Sequence, residues 1–120
     1  MRYALIGCGR IATNHMKAAV NNQLEISAVC DVVQEHMEVL LAKHELQNDM
    51  SILRYTDYKS MIQEVKPDLV SIATESGIHA EIALFCIDHG VHVIIEKPMA
   101  MSISDANEII RHSEEKHVRA

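Results

Sequence analysis

No apolar run in this chain of 120 residues approaches the 18 or more needed for a membrane span, which excludes a transmembrane helix. The first residues lack the basic start, apolar stretch and small-residue cleavage site of a secretion signal, because Gly7 and Gly9 interrupt them almost at once. A cytoplasmic location is the expectation. Cysteine is scarce and odd in number: Cys8, Cys30 and Cys86 are widely spaced and read as small buried hydrophobes, which excludes a disulfide framework. Basic residues are few and dispersed, eleven Lys and Arg against seventeen Asp and Glu for a net charge of -6, so broad contact with a phosphate backbone, and with it a nucleic-acid partner, is not expected. There is no internal repeat and no low-complexity linker. His89 and His92 have an H-x-x-H spacing, but Gly90 breaks the helix between them and no third ligand is evident, so no metal site is expected. His36 and His44, like His112 and His117, read as solvated residues of polar helices.

What is present is an ordinary globular composition, 48% apolar and 23% charged, at the length of one domain. Apolar β-rich runs alternate with helical patterns from end to end. Tyr3–Ile6, Glu25–Cys30, Leu53–Tyr55, Leu69–Ile72 and His92–Glu96 read as strands. Between them apolar positions recur at helical spacing: Ala12, Met16, Ala19 and Val20; Met37, Leu40, Leu41 and His44; Tyr58, Met61, Ile62 and Val65; Ile82, Phe85 and Cys86; Ile103, Ala106, Ile109 and Ile110. Gly90 stands where the fourth helix would end, and Ser102 with Asp105 offers a cap for the fifth. Leu-Val-Ser-Ile-Ala and Val-His-Val-Ile-Ile are close to continuously apolar, as strands are when helices cover both sheet faces. The expected fold is α/β, a doubly wound parallel sheet of the Rossmann type in a single domain over residues 1–120. His117–Ala120 read as the approach to a further strand.

Gly7-Cys8-Gly9-Arg10-Ile11-Ala12 spells G-x-G-x-x-A directly after the first strand and at the head of a helix. In that setting Gly7 permits a tight turn, Gly9 lets the backbone approach a pyrophosphate, and Ala12 lets helix and strand pack closely. The phosphates would sit at the helix N-terminus, where Ile11 and its neighbours offer N–H groups and Arg10 can reach a phosphate. A glycine-rich turn without a ligand is the plain alternative, and Arg10 reads equally well as a solvated helix-start residue. Asp31 ends the second strand about 20 residues on, where the fingerprint places an acid for the adenosine ribose hydroxyls. It could instead cap the helix beginning near Val33. The carboxylate would repel a 2′-phosphate, and Val32, Val33 and Gln34 supply no cation for one, so NAD is favoured over NADP.

Ligands of open α/β sheets gather at the carboxyl ends of the strands. The fourth strand ends in Ala73-Thr74-Glu75-Ser76-Gly77-Ile78-His79 and the fifth in Glu96-Lys97-Pro98. With the glycine turn, this order of motifs resembles the amino-terminal half of the glucose-fructose oxidoreductase, inositol dehydrogenase and MocA family, over the whole chain. The resemblance implies that Lys97 lies beside the nicotinamide and contacts the substrate hydroxyl, that Glu96 orients Lys97 or the cofactor, and that Thr74, Ser76 and His79 line the cofactor. One departure is visible: Glu75 stands where many relatives carry Pro. His79 could equally just begin the fourth helix.

The function implied is NAD-dependent oxidation of a secondary hydroxyl on a sugar, nucleotide sugar or polyol. Within the family the chain looks most like members acting on nucleotide-linked amino sugars for surface polysaccharides. The substrate would be held by a carboxyl-terminal domain absent from this chain, and association into a homo-oligomer would run mainly through that domain. Two other readings stay open from the residues: a stand-alone dinucleotide-binding or sensor module, and a structural or coenzyme A-binding doubly wound domain.

Overall fold

Strand β1 (Arg2–Ile6) shows why the sheet forms. Tyr3 and Leu5 face one side and Ala4 and Ile6 the other, and all four are buried, because a strand's side chains alternate and both faces here carry helices. The computed structural model describes residues 1–96 and 102–120. After β1 come α1 (Ala12–Asn21), β2 (Glu25–Cys30), α2 (Gln34–Lys43), β3 (Leu53–Tyr55), α3 (Tyr58–Val65), β4 (Leu69–Ile72), a 3-10 turn (Ser76–Ile78), α4 (His79–Asp88), β5 (His92–Ile95) and α5 (Ile103–Lys116). The strands form one parallel sheet in the order β3-β2-β1-β4-β5, the doubly wound arrangement expected from the alternating pattern.

Each face has its own core. Tyr3, Leu5 and Val29 pack with Met16 and Ala19 of α1 and Met37, Leu40 and Leu41 of α2. Ala4, Ile6, Ala28 and Cys30 pack on the other face with Met61, Ile62 and Val65 of α3, Ile82 and Cys86 of α4, and Ile109 of α5. All three cysteines are buried and free. Local chemistry sets the helix ends: Asp57 caps α3 by accepting from the Lys59 N–H, and the Ser102 hydroxyl accepts from the Asp105 N–H at the start of α5 (3.0 Å). Gly90, two residues past the end of α4, adopts φ +76°, where glycine is favoured.

Several of the apolar positions that recur at helical spacing are exposed. Val20 is 46% exposed, Ile103 82% and Ile110 47%, so α1 and α5 bury narrower faces than their periodicity implied. On β5, Ile94 is exposed because that strand is at the edge of the described sheet. Glu96 falls just past β5, although its N–H still donates to the Ile72 carbonyl. The terminal residues run along the free side of β5: the Val93 N–H donates to the Arg119 carbonyl, and the Arg119 N–H donates to His92 Nδ1. Among the described residues no helix is long and apolar enough to cross a membrane.

Candidate functional site

The chain leaves β1 in one direction, toward β2 and β3, and returns to the other side of β1 at β4. Connections at the carboxyl ends of β1 and β4 therefore diverge, and in doubly wound sheets that crevice is where ligands settle. A cleft of about 370 Å³ opens there, walled by Gly7 and Gly9 from the β1–α1 turn, Asp31, Val32 and Val33 from the end of β2, His36 of α2, and Thr74, Glu75 and Ile78 from the loop after β4.

The two glycines have different reasons to be glycine. Gly7 adopts φ +93°, and a Cβ there would sit 2.6 Å from the Ala73 carbonyl carbon and 2.7 Å from the Thr74 nitrogen. The turn therefore packs directly on the backbone leaving β4, and its N–H donates to the Cys30 carbonyl at 2.8 Å. A Cβ on Gly9 would meet nothing within 4 Å. The protein's own packing gives no reason for glycine at position 9, whereas a phosphate brought against the backbone does. Ala12, fully buried, starts α1, whose N-cap residue Ile11 makes no side-chain cap, so no side chain of that residue competes for the first-turn N–H groups. Ile11 and Arg10 are exposed at the turn. These features fit a dinucleotide pyrophosphate.

Asp31 does more than the fingerprint asks. Its Oδ2 accepts from the Cys8 N–H and its Oδ1 from the Val33 N–H, both at 2.8 Å, so the carboxylate ties the glycine turn to the end of β2. The alternative of a helix cap is corrected in detail: the N-cap of α2 is Val33 itself, and Asp31 closes the short turn before it. The thiols beside it are inert. Burial first, then the Asp31 charge, pushes Cys8 and Cys30 each up to about 12.

After β4, Thr74 is half-buried at the cleft and Ser76 opens the 3-10 turn. His79 is the first residue of α4 and is 1% exposed; its Nε2–H donates to the Thr74 carbonyl at 2.7 Å. A carbonyl can only accept, so that nitrogen carries the proton. His79 thus holds the loop from within and is not among the cleft-lining residues.

Two histidines that spacing did not single out stand beside the site. The ring of His15, on α1, meets Glu96 with Nε2 at 2.5 Å from Oε2, their side chains 13% and 32% exposed. The first residue after β5 is thereby locked to α1. His36 Nδ1 lies 3.4 Å from Asp31 Oδ2. No local motif signals either pair; His15–Glu96 joins residues 81 positions apart. Lys97 lies outside the described residues. Of the other histidines, His89 stacks on Phe85 and His112 pairs with Asp88, while the buried Nε2 of His44 has no hydrogen-bond partner among the described residues.

Comparison with known proteins agrees with this geometry. A family model described as the oxidoreductase family with an NAD-binding Rossmann fold, GFO_IDH_MocA, matches residues 1–120. The chain is 33% identical over 111 residues to the D-glucoside 3-dehydrogenase of Escherichia coli K12, covering 91% of this chain and 30% of that protein. It is 31% identical over 119 residues to a glycosyl hydrolase family 109 protein of Akkermansia muciniphila, covering 95% of this chain and 25% of that one. The WlbA dehydrogenase of Bordetella pertussis, solved with NADH and UDP-GlcNAcA, superimposes with a TM-score of 0.86 at 29% identity, over 99% of this chain and 33% of that one. The chain thus spans about a third of the length of such relatives or less.

Proposed function

The chain belongs to the oxidoreductase family with the NAD-binding Rossmann fold, and from that premise we propose that it is the NAD-binding part of a dehydrogenase acting on a secondary hydroxyl of a sugar, nucleotide sugar or polyol. The observation that carries the reading is the pairing, across one cleft, of a glycine whose missing Cβ faces open space with an acid held by two backbone amides at the end of β2. The dehydrogenases among the matched proteins support the sugar or polyol class.

In this reading each group has a task. Gly7, Gly9, Arg10, Ile11 and Ala12 bring backbone N–H groups and the positive end of α1 to the pyrophosphate. Asp31 accepts from the adenosine ribose hydroxyls with lone pairs that its two amide partners leave open, and its charge opposes a 2′-phosphate. Thr74 and Ser76 flank the dinucleotide further along, while His79 keeps their loop in place. A bound nicotinamide would supply the hydride acceptor for oxidation of the substrate carbon. Lys97 accepts the hydroxyl proton at Nζ, or holds positive charge against the developing alkoxide. His15, through its contact with Glu96, fixes the residue before Lys97. We further propose that substrate selection, and much of any assembly into oligomers, belongs to chain beyond these 120 residues, supported by the span of about a third of the relatives.

Titration of NADH fluorescence tests the reading. The wild-type chain binds NADH, and Asp31→Ala, checked for fold by circular dichroism, weakens binding by about tenfold or more, the usual worth of hydrogen bonds to a charged group. Unchanged affinity in Asp31→Ala would remove the cradle assignment. Assay of a longer protein against glycosides and polyols then tells oxidation from hydrolysis, the second activity named among the relatives.

A further inference from the structure

We infer that His36 sets how strictly this cleft excludes a 2′-phosphorylated dinucleotide, with NADPH accepted in proportion to the protonation of its ring. The inference rests on the NAD-site reading above and deepens it.

Sequence spacing makes His36 a solvated helix residue, but the fold puts it on the wall of the cleft, in the first turn of α2. Its ring is 51% exposed, while the Asp31 side chain that it faces is 10% exposed. A carboxylate offers about four lone-pair directions. The Cys8 and Val33 amides take two, one on each oxygen. His36 Nδ1 stands 3.4 Å from Oδ2, too far for a good hydrogen bond from a neutral ring and near enough for a charged one to close. With the ring neutral, Asp31 keeps its open lone pairs for ribose hydroxyls and its full repulsion toward a 2′-phosphate. With the ring charged, His36 occupies one of those lone pairs, offsets the carboxylate and offers its second N–H. Both changes move selectivity the same way, against the ribose diol and toward the phosphate.

The other ionisable groups near the ring come from the elements packed around it. The end of β2 contributes Cys30 and Asp31, the Cys8 thiol lies near that carboxylate, and Glu35 precedes the ring on α2. The connection from β3 to α3 contributes Asp57 and Tyr58, and the loop after β4 contributes Glu75. Both thiols stay neutral there, burial having pushed each up to about 12. Burial also raises Tyr58, and hydrogen bonds from Ser60 and the Lys59 amide hold Asp57 below the usual carboxylate range.

The test is calorimetric titration of this chain with NADH and with NADPH at about pH 6 and about pH 8, for wild type, His36→Gln and His36→Arg. In the wild type the NADPH-to-NADH affinity ratio rises about five- to tenfold from the higher to the lower pH. In His36→Gln it changes less than about twofold, and in His36→Arg it is high at both values. Titration of the 2′-phosphate itself, near pH 6, is common to all three proteins. An equal rise in wild type and His36→Gln, or equal ratios in His36→Arg and His36→Gln, would overturn the inference. Absence of NADH binding by the wild type at both values would instead overturn the dinucleotide reading beneath it.

Discussion

Asp31 and Glu96 each sit where a strand of this sheet gives out, at β2 and just past β5, and they are held by different means. Asp31 is gripped by two backbone amides, Val33 just after it and Cys8 on the β1–α1 turn, with a half-exposed histidine standing off at 3.4 Å. Glu96 is gripped by the ring of His15, 81 residues away, at 2.5 Å. An acid held by backbone is as rigid as the turn that presents it. An acid held by a distant side chain depends on the packing of a whole helix. The β2 end of the cleft is therefore built by backbone within one β-α-β unit, and the end of β5 is held by a side-chain contact across the fold.

That contrast can be broken by mutation. The largest expected effect is at the backbone-built end: Gly7→Ala forces a Cβ to within 2.6 Å of the Ala73 carbonyl carbon at φ +93° and should cost about 3–5 kcal/mol, a fall in melting temperature of about 10–20 °C by circular dichroism. A melt like that of wild type would mean that this end is less rigid than described. Next, His15→Ala should cost about 2 kcal/mol by leaving the Glu96 carboxylate unpaired, and a double-mutant cycle with Glu96→Ala should return a coupling of about 1 kcal/mol or more. Strict additivity would show the pair to be incidental.

Smaller effects sharpen the comparison. Cys8 and Cys30 flank Asp31, and in the folded state both are raised from 9.0 to about 12. Their contribution is whole below the unfolded thiol pKa and is lost as pH rises toward 12, so the two thiols together should leave urea unfolding about 0.7 kcal/mol less stable at pH 9 than at pH 8. With both replaced by Ala that slope should shrink; an unchanged slope would assign the alkaline loss elsewhere. Last, Glu45 adopts φ +59° just beyond α2, away from both carboxylates, and Glu45→Gly should add about 0.5 kcal/mol in the same assay. A loss of stability there would mean the side chain contributes more than its backbone strain costs.

How much of this was legible follows the same division. The strands of the sheet centre were readable because burial on both faces makes Ala4–Ile6 and Val70–Ile72 almost continuously apolar. Gly7, Gly9 and Asp31 were readable because their roles arise within one β-α-β unit. Periodicity located the helices but could not say how wide a face each would bury: Val20, Ile103 and Ile110 share the helical spacing and are exposed. The strand order and the His15–Glu96 pair are products of tertiary assembly that no local spacing encodes. His79 was noticed as a residue of the loop, yet its place inside the loop rather than on the cleft wall required the fold.

The central claim, that this cleft is a dinucleotide site, is tested most directly at Gly9, where the protein has room for a methyl group and a bound pyrophosphate would not. Thermal unfolding of wild type and Gly9→Ala, each with and without NADH, separates the two. The account predicts ligand-free melts within about 2 °C of each other, with NADH at about a hundred times its Kd stabilising the wild type by about 2.7 kcal/mol and the same concentration leaving Gly9→Ala almost unmoved. An NADH shift in Gly9→Ala as large as in the wild type would contradict it.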